Sequence, residues 1–360
     1  MVSSSDLAAG ASNLLVNCAC LQPDQRVLVL HEDPALGWYD LAAPTAVADC
    51  ARSLGNQATM VAVGGPDQVL PHAASEAIAA HDVIVFFARA GDQGRFEERD
   101  DGKVSVMSYA RTADALGSSY GRTDHRAFLA LKEAVDAILR EASKIEVRCP
   151  LGSHIIGHPT PEALATVSDV SMRRFPMGVP TPVSMASFSG QVVLARYLTP
   201  TGNKVDEPAS LAIGEPVTVK VDGNRMIGLS GAPDDVSAVR QHYEAVSDRL
   251  GIEPYFVHSF HAGLHTGCEY RADAADDPDR WSNNIFNSPR FLHFHTCGAY
   301  PPGEICWMLQ DPTLAVNDQA LWQDGALALD MIAQKSDVFT DWPELPALLA
   351  RRPELIGVAA

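Results

Sequence analysis

Basic residues are scarce in this chain: 27 Lys and Arg stand against 45 Asp and Glu over 360 residues, a formal net charge of -18. Such a field repels phosphate backbones and anionic lipid, and no Lys/Arg stripe interrupts it, so the sequence predicts no nucleic-acid partner and no membrane partner. No apolar run reaches the roughly 18 residues a membrane span needs. The amino terminus, MVSSSDLAAGASNLL, lacks the basic and apolar regions of a secretory leader, which predicts a cytoplasmic protein. Seven cysteines at 18, 20, 50, 149, 268, 297 and 306 include no CxxC pair, so a zinc ribbon is excluded and reduced thiols are expected.

Three further absences narrow the chemistry. No GxGxxG follows the first β-rich run and no GxxxxGK[ST] occurs, so Gly64-Gly65-Pro66 reads as a plain loop and not a phosphate cradle. No GxSxG directly follows a β-rich run, as a nucleophile elbow must, so a serine hydrolase of the α/β type has no support. HAGLH at 261–265 has the histidine spacing of a zincin helix but not the glutamate beside the first histidine, and Gly263 weakens a helix there.

What is present divides in two. RVLVLHEDP, ATMVAVGG, HDVIVFFARAG and KIEVRCPLGS read as strands, separated by helical runs such as TAVADCARSLGNQ and RAFLALKEAVDAILREAS. Their alternation predicts βαβ units, hence an α/β scaffold domain with a parallel sheet and flanking helices over residues 1–150. Past 150 come proline-rich connections and short alternating runs, with a hairpin signal at Asp222-Gly223 and an amphipathic helix in DDVSAVRQHYEAVSDRLG. Residues 151–360 are therefore expected to form an α+β domain.

Five of the twelve histidines lie between 258 and 295, in VHSFHAGLHTGCEY and RFLHFHTCG. In a strand, His293 and His295 point the same way and one metal ion can chelate both. In a helix, His261 and His265 would share a face, as would His258 and His261. Two histidines from one strand and a third from a neighbouring segment make a three-ligand set with open positions opposite, as catalytic metals keep. Imidazole suits zinc, copper, iron and nickel alike. The competing reading is a set of interior histidines bonded to backbone carbonyls beside Phe291 and Phe294.

The order of DQRVLVLHED, HDVIVFFARA, KIEVRCPLGS, EPVTVKVDGNRMIGLSG, SFHAGLH and FLHFH resembles the family of 2,5-dihydroxypyridine 5,6-dioxygenases and the related aminopeptidase T type metallopeptidases. The resemblance implies an amino-terminal α/β domain followed by a metal-binding domain, and assembly into a homo-oligomer. It implies an iron(II) site using dioxygen as co-substrate, with His261 and His293 on the family's two histidines and His295 where the family has an aspartate. Exchanging that carboxylate for an imidazole raises the charge of the site by one unit, which favours an anionic, chelating small-molecule substrate. The peptidase branch would need a glutamate where Gln191 stands and a tyrosine where Cys268 stands, so the single-metal branch fits better.

The activity so implied is ring-cleaving oxygenation of a hydroxylated aromatic or N-heterocyclic compound. His265 is the expected general acid or base, with a structural role in its segment as the alternative. Phe291, Tyr300 and Trp307 are candidate pocket walls. A zinc or cobalt hydrolase on the same scaffold is the rival enzyme class, and a scaffold protein with buried histidines the rival outside enzymes.

Overall fold

A computed structural model describes residues 2–96, 102–164, 169–200, 209–298 and 303–358. The chain divides into two compact units, one built on Met1–Leu129 and Asp169–Gly178, the other on Ala130–Ser168, Val179–Thr201 and Val205–Ala360.

The first unit is organised by a five-stranded parallel sheet in the order Ala58–Val63, Val27–Glu32, Val83–Phe87, Val104–Ser108, Arg173–Phe175. Its central strand is apolar without interruption, as a strand covered on both faces must be: Val83–Phe87 is buried throughout. The helix Ala42–Ser53 turns Val47, Ala48 and Ala51 inward, and the chain leaves it through Gly55, whose φ of 91° suits glycine. Strand order switches between Val27–Glu32 and Val83–Phe87, where Glu32 accepts three side-chain bonds from Arg89 and one from its backbone N–H. Both partners are buried, and Trp38 lies 4.1 Å beneath the Arg89 guanidinium.

One expected member of this sheet is elsewhere. Ile145–Arg148 pairs antiparallel with His154–Gly157 and Thr313–Val316 in the second unit's sheet. Its burial alternates, Ile145 and Val147 inside and Arg148 outside, which suits a sheet with one solvated face rather than a doubly covered parallel strand. The outer positions of the parallel sheet are filled instead by Val104–Ser108 and Arg173–Phe175, two runs too short and too polar at their ends to stand out in the sequence.

The second unit carries a twelve-stranded sheet in which every described pairing is antiparallel. Leu211–Asp222 and Arg225–Ser230 form the expected hairpin, turning at Gly223 with φ 57°. The helix Pro233–Leu250 starts on proline with Asp234 and Asp235 in its first turn and closes at left-handed Gly251, so its ends complement its dipole. Its buried Tyr243 hydroxyl accepts from Trp307 Nε1 at 2.6 Å and bonds Thr296 Oγ1, fixing the helix to one face of the sheet. None of the seven cysteines is cross-linked, and no described helix is long and apolar enough to cross a membrane.

Candidate metal centre

Two neighbouring strands of this sheet carry the histidines. Val257–Ala262 runs antiparallel to Phe291–Cys297, with His261 directly opposite His293 and Ser259 opposite His295. His261 is thus a strand residue, and the helical pairing considered for His261 with His265 or His258 does not form. The strand ends at Gly263, where a Cβ would fall 2.2 Å from the Ser288 carbonyl oxygen; only glycine allows that approach, and it breaks any continuation toward His265.

Period-two alternation places His293 and His295 on one face of Phe291–Cys297, and register adds His261 to the same face. Phe294 points to the other face, packed on Phe260 and Trp307 with ring centroids 5.3 Å away in both cases. Phe294 therefore walls the back of the sheet, and the imidazoles line the front.

At the front the three rings meet. His261 Nε2 lies 2.6 Å from His293 Nε2 and 3.3 Å from His295 Nε2, and one ligand atom from each residue falls within 4.8 Å of the others. All three are buried. His261 Nδ1 stands 3.2 Å from the Pro180 carbonyl oxygen, an acceptor only, so this nitrogen carries the proton and Nε2 presents a lone pair. His295 Nδ1 stands 3.0 Å from Glu304 Oε1, off the straight hydrogen-bond axis, and a carboxylate there favours the same tautomer. Two bare lone pairs aimed at one point inside a protein are unfavourable unless a cation lies between them. Donor nitrogens about 2.1 Å from one ion and at right angles to each other are about 3 Å apart, between the 2.6 and 3.3 Å that separate His261 Nε2 from the other two. The donor set fits a single transition-metal ion.

The other expected site residues are placed as follows. His265 lies in the turn after Ala262, fully buried, with Nδ1 accepting from the Gly267 N–H at 3.1 Å; it is not one of the three convergent imidazoles. Trp307 is opposite Phe294 and faces Tyr243, so it walls no pocket beside the trio. Phe291 packs edge-on against Trp281 at 5.5 Å, and Tyr300 lies outside the described residues. Gln191 is exposed and bonds the Gly152 carbonyl, and Cys268 Sγ bonds the Asn284 carbonyl at 3.2 Å. His258 lies 2.9 Å from Ser259 Oγ, and burial, aided by nearby His295, holds its pKa below the usual histidine value.

Three residues that the histidine pattern did not reveal come from Glu304–Gln310, the strand on the far side of Phe291–Cys297. Cys306 is opposite His295, Met308 opposite His293 and Glu304 opposite Cys297, all on the front face. The turn-forming run PPG between HFHTCG and EICWMLQ is the signal that would have folded Glu304 back beside the histidines. Phe286 completes the surroundings, its ring edge-on to His293 at 5.5 Å.

A buried three-imidazole set on an antiparallel sheet, in a chain that also carries a parallel α/β unit, defines a two-unit architecture with the geometry of a metal centre. No family model matches the chain, and no curated protein matches it by sequence. Solved structures share the fold, two of them as follows. One is 2,5-dihydroxypyridine dioxygenase from Pseudomonas putida KT2440, with a TM-score of 0.60 at 14% identity over 91% of this chain and 98% of that one. The other is AmpT from Thermus thermophilus, with a TM-score of 0.51 at 10% identity over 90% of this chain and 99% of that one.

Proposed function

We propose that the protein is a mononuclear non-heme iron(II) oxygenase that acts on a small hydroxylated aromatic or N-heterocyclic compound, of dihydroxypyridine type, and cleaves its ring. The observation that carries this reading is the convergence of ring nitrogens from three buried imidazoles on one point. The fold shared with a 2,5-dihydroxypyridine dioxygenase over nearly the whole chain supports it. So do Gln191 and Cys268, an amide and a thiol each engaged with a backbone carbonyl, neither of which supplies the carboxylate or phenol that a second metal would use.

Iron(II), when bound, supplies Lewis acidity toward a chelating substrate oxygen and an electron path between substrate and dioxygen. The chain supplies the rest. His261, His293 and His295 would hold the ion, and three protein ligands would leave it able to take substrate. The Pro180 carbonyl and the Glu304 carboxylate keep His261 and His295 in the tautomer that points Nε2 inward. Phe286 and the fully buried Phe291–Cys297 strand exclude water from the ligand rings, and Cys306 and Met308 give the front face a soft, apolar edge. His265 holds the turn that follows the ligand strand, through its bond from Gly267.

The test is anaerobic loading with iron(II) followed by oxygen-uptake measurement with hydroxypyridines and phenols. Substrate-dependent uptake that disappears in His293→Ala is the expected result. Peptide hydrolysis by the zinc-loaded protein, with no oxygen uptake by the iron-loaded one, would assign the same imidazoles to a hydrolase instead.

A further inference from the structure

The antiparallel register brings a second kind of group to the trio. Glu304 is opposite Cys297, and Cys297 is two residues from His295 on the same strand face, so Glu304 is the diagonal neighbour of His295 across the strand pair. Its carboxylate uses that placement, with Oε1 3.0 Å from His295 Nδ1. Both residues are buried, Glu304 4% and His295 9% exposed.

A carboxylate taken out of water is costly unless positive charge lies near it. Three neutral imidazoles, for their part, leave the full charge of a divalent ion uncompensated inside the protein. The two costs offset each other if the carboxylate stands one ring away from the ion. Behind His261 Nδ1 stands the Pro180 carbonyl, a dipole, whereas behind His295 Nδ1 stands a full negative charge. His295 is therefore a more strongly polarised donor than His261.

We infer that Glu304 is a positioning residue of the metal centre: it orients His295 through Nδ1 and returns to the site, one imidazole away, the negative charge that an all-histidine ligand set lacks. This rests on the reading of the trio as a metal centre and adds to it the residue that sets the affinity and net charge of that centre. Glu304 touches neither ion nor substrate; it acts through His295.

The test uses cobalt(II) as the probe, bound to the full chain under chelator competition and read by its visible absorption, with no turnover required. In Glu304→Gln the amide keeps the shape and removes the charge, and the dissociation constant is expected to rise about 10–100-fold, with the cobalt absorption displaced. The metal-free Glu304→Gln protein should keep the wild-type circular dichroism. Gln191→Ala, on an exposed and distant strand position, should bind as wild type.

If Glu304→Gln binds cobalt(II) within twofold of wild type while His295→Ala loses it, the role assigned to Glu304 is wrong and the metal centre stands. If His293→Ala and His295→Ala both bind as wild type, the metal centre itself is wrong and this inference goes with it. A second readout needs no variant: nitrogen-15 spectra of the zinc-loaded wild type should show His295 protonated at Nδ1 and metallated at Nε2, and the reverse assignment would overturn the inference.

Discussion

Loading the trio with a divalent ion should raise the temperature at which the antiparallel unit unfolds, since His261, His293 and His295 all belong to that unit. Without an ion, the folded state holds nitrogens 2.6 and 3.3 Å apart inside a buried strand pair, an arrangement that unfolding relieves. An ion that binds only the folded state stabilises it by about 2.7 kcal/mol when present at about a hundred times its dissociation constant. For a cooperative unit of roughly 200 residues, each kcal/mol moves the midpoint by about 2–4 °C, so a rise of about 5–10 °C is expected. His293→Ala deletes the nitrogen nearest His261, and its rise should fall below about 1 °C at the same ion concentration. Differential scanning calorimetry with cobalt(II), zinc(II) and, anaerobically, iron(II) reads both values. No shift in the wild type, or an equal shift in His293→Ala, would refute the argument that these nitrogens form the binding site.

Tyr243→Phe should cost about 1–3 kcal/mol in urea unfolding, because it strips the Trp307 indole N–H of its buried acceptor. The same variant should leave cobalt(II) affinity unchanged, since that network lies on the back of the sheet; a change beyond threefold would contradict the assignment of faces. In the parallel unit, Glu32→Ala leaves the Arg89 guanidinium buried without its carboxylate and should cost about 3–5 kcal/mol, and a loss under 1 kcal/mol by the same measurement would show that water reaches the pair. Burial, reinforced by the Arg173 cation, lowers the His125 pKa from 6.5 to about 4. Below pH 6.5 the unfolded chain takes up this proton and the folded one does not until near pH 4, so stability is full above that window and falls through it as acid is added, by roughly 3 kcal/mol in all. His125→Gln should flatten that part of the pH profile of unfolding, and an unchanged slope would remove His125 as its cause.

Much of the architecture is legible wherever burial imposes a simple period. The runs at 27–30 and 83–87 are apolar because both faces are covered, and the Asp222-Gly223 turn announces its hairpin because a φ of 57° favours glycine. Ile145–Arg148 misleads because four residues state that a strand exists but not which sheet receives it; only pairing with His154–Gly157 decides that. The same distinction governs the site. His293 and His295 share a face by alternation alone, a local property, whereas the strand register that sets His261 opposite His293 is not local and left a helix open as an alternative. Glu304 and Trp307 illustrate the two consequences. Nothing in composition separates a glutamate at a sheet's front from one at its surface, or an indole behind the sheet from one beside the ligands, until cross-strand partners are known.

The most direct measurement is anomalous X-ray scattering at the iron edge from crystals of anaerobically loaded protein. The account predicts one peak about 2.0–2.2 Å from the Nε2 atoms of His261, His293 and His295, as imidazole coordination requires. An absence of signal between those rings, together with undiminished turnover in a strong chelator, would contradict it.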